Sequence, residues 1–175
     1  SNGETFRLVT EDTIATFYSS STYKEDSGSL GGSCMRGRPS STFQIYTKNP
    51  EVCSLLVLLE NNRVIGRALI WKIDGIDNCE YFMDRQYVIK DSYVENFRNY
   101  ANVQGWAYKA QNSHSKLKPV TFKGETFDAD MTIQLKAIKY SEFPYMDTFK
   151  LYNPKTGILA NSEDESEENI GCYIL

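Results

Sequence analysis

Two arginines stand where strand periodicity calls for apolar side chains. In 63–73 (RVIGRALIWKI) one face carries Ile65, Arg67, Leu69, Trp71 and Ile73, and in 80–89 (EYFMDRQYVI) one face carries Tyr81, Met83, Arg85, Tyr87 and Ile89. A guanidinium stays charged inside a protein, so burying it demands a carboxylate, phosphate or carbonyl partner. Two readings follow. In one, Arg67 and Arg85 pair internally with Asp84, Asp147 or Glu80, or run their stems out to water. In the other they floor a pocket for an anionic ligand, with Asp84, Trp71 and Tyr87 beside them. The glycine-rich stretch 27–41 (SGSLGGSCMRGRPSS) adds Arg36 and Arg38 on either side of Gly37. Small residues let backbone N–H groups approach a ligand, and two guanidiniums suit a phosphate or carboxylate. The spacing matches neither the GxxxxGK[ST] nor the GxGxxG phosphate loop, and a flexible surface loop is the plainer alternative.

Cys34 lies two residues before Arg36, a neighbourhood that favours a thiolate nucleophile. Hydrolytic chemistry there would need a base, and the single histidine, His114, is the candidate. A solvated His114 in the polar stretch 111–116 is the simpler expectation. Asp84 and Asp147, in FMDRQ and YMDTF, could serve as acid and base or hold a metal, but pairing with the strand arginines is the expected role. The four cysteines, at 34, 53, 79 and 172, show no CxxC pair and no zinc spacing. Neither a metal site nor a disulfide framework is expected, and reduced thiols in a cytosol are.

The elements that must position these residues come from a chain of 175 residues, 41% hydrophobic and 13% aromatic. That suits one domain over 1–175, with Ser1-Asn2-Gly3 read as a tag-cleavage scar. No secretory leader is expected. No apolar run reaches the length of a membrane span, so no membrane partner is expected. Net charge is −4, but 162–169 holds five acids, Glu163, Asp164, Glu165, Glu167 and Glu168. Without them the remainder is +1, so general capture of nucleic acid is not expected. This acidic run reads as a solvated loop.

Thr10 is expected to cap a helix carrying Ile14, Phe17 and Tyr18 on one face. The stretch 27–41 is expected to be neither helix nor strand. The apolar run 53–59 and the segment 63–73, joined by Asn61-Asn62, predict a β-hairpin buried on both faces. A third, continuous strand follows at 80–89. Asp91 then caps a helix over 92–104, with Tyr93, Val94, Phe97, Tyr100 and Ala101 inward and Gly105 ending it. A short strand is expected at 106–110. Alternation at 131–138 predicts a strand with one wet face, 149–152 and 158–160 a hairpin, and 170–175 a final strand.

Several pieces resemble uncharacterised bacteriophage-encoded proteins: Ser33-Cys34-Met35-Arg36, Asn49-Pro50, Gly66-Arg67-Ala68-Leu69-Ile70-Trp71, Met83-Asp84-Arg85 and Pro144-Tyr145-Met146-Asp147-Thr148. The resemblance implies a viral product in the cytoplasm of a bacterial host and implies no activity. A second likeness is to GCN5-type acetyltransferases, whose helix, hairpin, strand, helix and strand follow in similar order over 10–110. That family seats acyl-CoA pyrophosphate on a [Q/R]xxGx[G/A] loop, whereas the corresponding 88–94 (VIKDSYV) has no glycine.

The expected fold is α+β, a mostly antiparallel sheet flanked by two helices. The expected role is non-catalytic: binding an anionic small molecule such as a nucleotide, or a charged segment of a host protein; the phage resemblance implies countering host defence as the setting. An acyltransferase with an altered cofactor loop and a thiol enzyme using Cys34 are the rivals. The residues specify no cofactor.

Overall fold

Leu55–Leu59 and Val64–Ile70 carry apolar side chains on both faces, so a hairpin made of them must be covered from both sides. The computed structural model, which describes residues 3–162 and 173–175, is built around that hairpin. Strands β2 (Cys53–Glu60) and β3 (Arg63–Lys72) pair antiparallel through Asn61 and Asn62, whose φ angles of 50° and 65° are those a tight two-residue turn needs. On the outer side of β2 lies β1 (Glu4–Val9), a strand the sequence reading missed because Glu4 and Arg7 interrupt its apolar pattern.

Beyond β3 the sheet continues through β4 (Tyr81–Met83), β6 (Ala107–Lys109), β7 (Pro119–Phe122) and β8 (Glu125–Asp128), with β5 (Tyr87–Val88) also paired to β3. All neighbours are antiparallel except β4 and β6, which run parallel with helix α4 (Tyr93–Gln104) crossing between them. A smaller antiparallel sheet has the order β12 (Tyr173–Ile174), β10 (Leu151–Asn153), β11 (Ile158–Ala160), β9 (Thr132–Gln134). The expected α+β class with a mostly antiparallel sheet holds.

The helices cover opposite faces. Gly66 faces α4: a Cβ there would come within 2.6 Å of the Phe97 ring, so only glycine lets helix and strand pack this closely. On the other face lie α1 (Asp12–Phe17) and α3 (Gln44–Thr47), and the Tyr46 ring sits edge-on to Trp71 with centroids 5.7 Å apart. Gly105 ends α4 in the left-handed conformation, as expected.

Four expectations need correction. Helix α1 starts at Asp12, with Glu11 rather than Thr10 at the cap position and no side-chain cap bond. Asp91 does not cap α4 either; Ser92 holds that place. The stretch 27–41 is not wholly irregular: α2 (Gly28–Gly31) makes one turn, in which Gly28, at φ +62°, lies against the carbonyls of Val88 and Ile89. The long strand at 131–138 shrinks to β9. Met131, Ile133 and Leu135 are buried against exposed Thr132, Gln134 and Lys136, but Ala137 is exposed. The acidic run at 163–169 and Cys172 lie outside the described residues.

Candidate functional site

The expected third strand is broken, and the break makes the site. Met83 pairs opposite Ile70, and Tyr87 opposite Arg67, so four steps along one strand match three along the other. One extra residue is accommodated within Asp84-Arg85-Gln86, a β-bulge. Phe82 therefore shares a face with Trp71 while Tyr87, five residues on, shares a face with Arg67. Strict alternation would have placed them on opposite faces. The bulge is held at both ends. The Asp84 N–H donates to the Leu69 carbonyl at 2.8 Å. Asn112 takes the Gln86 N–H at 2.7 Å and returns its own amide to the Gln86 carbonyl at 2.9 Å.

Arg67 is 2% exposed. Its guanidinium lies between two rings, 4.0 Å from the Tyr18 centroid and 4.7 Å from that of Tyr87, and one amino group donates to Ser33 Oγ at 3.1 Å. No carboxylate among the described residues is within ion-pair distance of it, and its Nε is buried without a hydrogen-bond partner. Burial pushes the Tyr18 and Tyr87 hydroxyls far above their ordinary range, so both rings are neutral and supply no counter-charge.

Arg85 is treated differently. Its Nη1 lies 3.4 Å from Asp147 Oδ1 and donates to the Tyr87 hydroxyl at 3.2 Å, and that hydroxyl donates to Asp147 Oδ2 at 2.5 Å. Behind this pair, Asp84 Oδ1 accepts from the Arg85 N–H at 2.8 Å and from Thr148 Oγ1 at 2.6 Å. Thr148 Oγ1 in turn accepts from Lys109 Nζ at 2.8 Å, and Lys109, 1% exposed, also donates to the Asp147 carbonyl at 3.1 Å. Burial pulls the Lys109 ammonium down and lifts the Asp84 carboxyl.

Among the described residues the charges in this cluster do not balance: Arg67, Arg85 and Lys109 face Asp84 and Asp147, one positive charge in excess. Moving the Lys109 proton to Asp84 neutralises both and leaves the excess unchanged. A metal bound by the two aspartates would sit among these cations, so that use of them is disfavoured. The cavity beside the guanidiniums encloses about 20 Å³ and is walled by Tyr18, Met35, Tyr46, Tyr145 and Met146.

Of the residues singled out in the sequence, Arg67, Arg85, Asp84 and Tyr87 line this cavity together. Trp71 lies one layer away, packed on Tyr46 and Phe149. The glycine-rich loop reaches the site through Ser33 and Met35, not through its arginines. Arg36 is exposed and paired with Asp26, and Arg38 Nε donates to the Cys34 carbonyl. Cys34 and His114 are both exposed; among the described residues no bond joins them, and His114 instead meets Tyr145, with ring centroids 6.5 Å apart. Sequence reasoning missed Lys109, Thr148, Asn112 and the capping role of Tyr18. Lys109 had a signal, since WAYKA sets a lone cation among apolar neighbours as the arginine strands do.

Comparisons with protein-family models, curated proteins and solved structures find no match. The fold and the site thus define an α+β chain with a buried, over-charged cationic cluster. No helix among the described residues is long and apolar enough to cross a membrane.

Proposed function

We propose that this chain binds an anionic ligand at Arg67 and Arg85 without acting chemically on it. The observation that carries the reading is Arg67: a buried, permanent charge wrapped in neutral rings, left over beside a set in which Arg85 and Lys109 are matched by Asp84 and Asp147. Taking such a charge out of water is costly unless a negative group joins it. The enclosed space fits about one water molecule, so the ligand enters by a single carboxylate or phosphate, the tip of a nucleotide or of a charged protein segment. Tyr145 and Met146 must then move outward. A setting in the cytoplasm of a bacterial host, against host defence, belongs to the same proposal and rests on the phage resemblance alone.

One observation favours the acyltransferase reading: the parallel pair β4–β6 with α4 between them continues the element order that carried that likeness. Against it, the strand end before α4 is occupied by the chain itself. Ser29 Oγ donates to the Val88 carbonyl at 3.2 Å and accepts from the Val88 N–H at 2.9 Å.

Thermal unfolding with AMP, cyclic AMP, inorganic phosphate and acetyl-CoA tests the reading. A true ligand at a hundredfold excess over Kd stabilises by about 2.7 kcal/mol. Arg67→Met is expected to stay folded, within about 1 kcal/mol of the parent or above it, and to lose the response to AMP or phosphate. A variant that responds like the parent overturns the proposal, and a response to acetyl-CoA alone favours the acyltransferase.

A further inference from the structure

Next to the cationic cavity lies a second, much larger hollow of about 920 Å³. It is walled by Ile138, Tyr140, Phe143, Pro144, Tyr145 and Tyr152, and its size is that of a small-molecule pocket. Tyr145 lines both spaces, so its ring is the partition between a charged recess and an apolar trough. Pro144 continues into the trough and Met146 into the recess.

The partition is lightly held. Tyr145 sits in the stretch between β9 and β10 that forms neither helix nor strand, and is 44% exposed. Its hydroxyl accepts from Lys150 Nζ at 3.1 Å, an exposed bond, and that ammonium also lies 4.6 Å from its ring centroid. Rotating the ring would give up one exposed bond, the contact with the Lys150 ammonium and the edge contact with His114, and would join the two spaces.

Most of the trough's lining is apolar, and two of its hydroxyls are already engaged. The Tyr140 hydroxyl already donates to the Lys136 carbonyl at 2.8 Å and accepts from Asn49 Nδ2 at 3.0 Å, and the Tyr145 hydroxyl is taken by Lys150. A nucleobase would find few partners there, whereas a hydrocarbon chain needs none. Lys139 in the trough lining and Lys150 at Tyr145 add positive charge, so the joined space as a whole favours an anion while its apolar walls favour a greasy body.

We infer that the ligand class is an amphipathic monoanion, its carboxylate or phosphate on Arg67 and Arg85 and its hydrocarbon chain along the Tyr140–Phe143–Tyr152 trough. The inference rests on the anion-binding reading of Arg67.

Titration calorimetry on the full chain tests it, using acetate, decanoate, decyl phosphate and decylamine below their micellar concentrations. Decanoate or decyl phosphate is expected to bind at least about tenfold tighter than acetate, since each methylene withdrawn from water favours binding; which one binds better names the head group. Decylamine is expected not to bind. Ile138→Asn, at a half-exposed trough position where folding is not at stake, should weaken decanoate several-fold and leave acetate unchanged. Arg67→Met should abolish both. If decanoate binds no tighter than acetate and both need Arg67, the amphipathic class is wrong while the anion site stands. If Arg67→Met holds decanoate as well as the parent does, the trough does not serve that site and the inference falls. If no anion, phosphate included, binds at all, the underlying reading falls and takes this one with it.

Discussion

Arg67 lines the cavity from β3 and Arg85 from the bulge between β4 and β5, and the chain handles them in opposite ways. Arg85 meets a carboxylate and a hydroxyl, both oriented by a network reaching back to Lys109. Arg67 meets two aromatic faces, one serine and the Tyr23 hydroxyl, and among the described residues no carboxylate. An ion pair holds its partners in place, and breaking it leaves a buried charge stranded. A guanidinium packed against rings keeps its shape without having its charge cancelled. The paired arginine belongs to the framework; the stacked one is the open valence.

The largest effect that tests this contrast is on stability. Asp147→Ala strands Arg85 and the Tyr87 hydroxyl together, and is expected to cost about 3 kcal/mol or more in urea unfolding, far beyond the change for Arg67→Met. Equal costs would erase the distinction. Loosening the bulge should cost less. Asn112→Ala removes the one hydrogen-bond partner that the Gln86 N–H has among the described residues, a loss of about 1–2 kcal/mol, and should weaken anion binding along with it. Unchanged binding would separate the bulge from the site.

A smaller effect concerns pH. Burial lifts the Asp84 carboxyl above its ordinary value of 3.8, with Lys109 drawing it partly back. A carboxyl raised on folding contributes stability that is fully present below the unfolded value and is lost as pH rises through the folded one. The stability of the parent relative to Asp84→Asn is therefore expected to decline as pH rises from about 4. A difference that grows with pH would mean that Asp84 is stabilised as a carboxylate instead. The smallest effect leaves stability untouched. Iodoacetamide at neutral pH should label exposed Cys34 readily and spare Cys53, whose thiol is buried and pushed well above its ordinary range. Cys34 labelling faster than a free thiol would revive the thiol-enzyme reading.

Arg67 was legible in the sequence because β3 is unbroken over ten residues, its register shift against β2 falling on the turn side of Gly66, and its hairpin turn is marked by two asparagines. The place of Arg85 was legible only in part. Counting by twos put Arg85 and Tyr87 on one face with Met83, and nothing in FMDRQ announces that the count slips there. The partners were harder still. Asp147 was a candidate by type, yet choosing it over Glu80 depends on contacts between residues 62 positions apart; Glu80 lies beside Lys72 instead. Strands β7 and β8 escaped because β8 is exposed along its whole length and carries no apolar face to count. Helix α2 escaped because two of its four residues are glycine, and what it gains comes from packing on Val88 rather than from propensity.

The bulge also decides which kind of sequence change would hurt the site most. Met83 and Tyr87 are four steps apart where Ile70 and Arg67 are three, so deleting Gln86 would bring the two strands into step and still leave Tyr87 opposite Arg67. The surplus residue therefore serves Asp84 and Arg85, which the bulge frees from the ladder to meet Thr148 and Asp147. A shortened strand would keep the ring that shelters one guanidinium and lose the setting of the other.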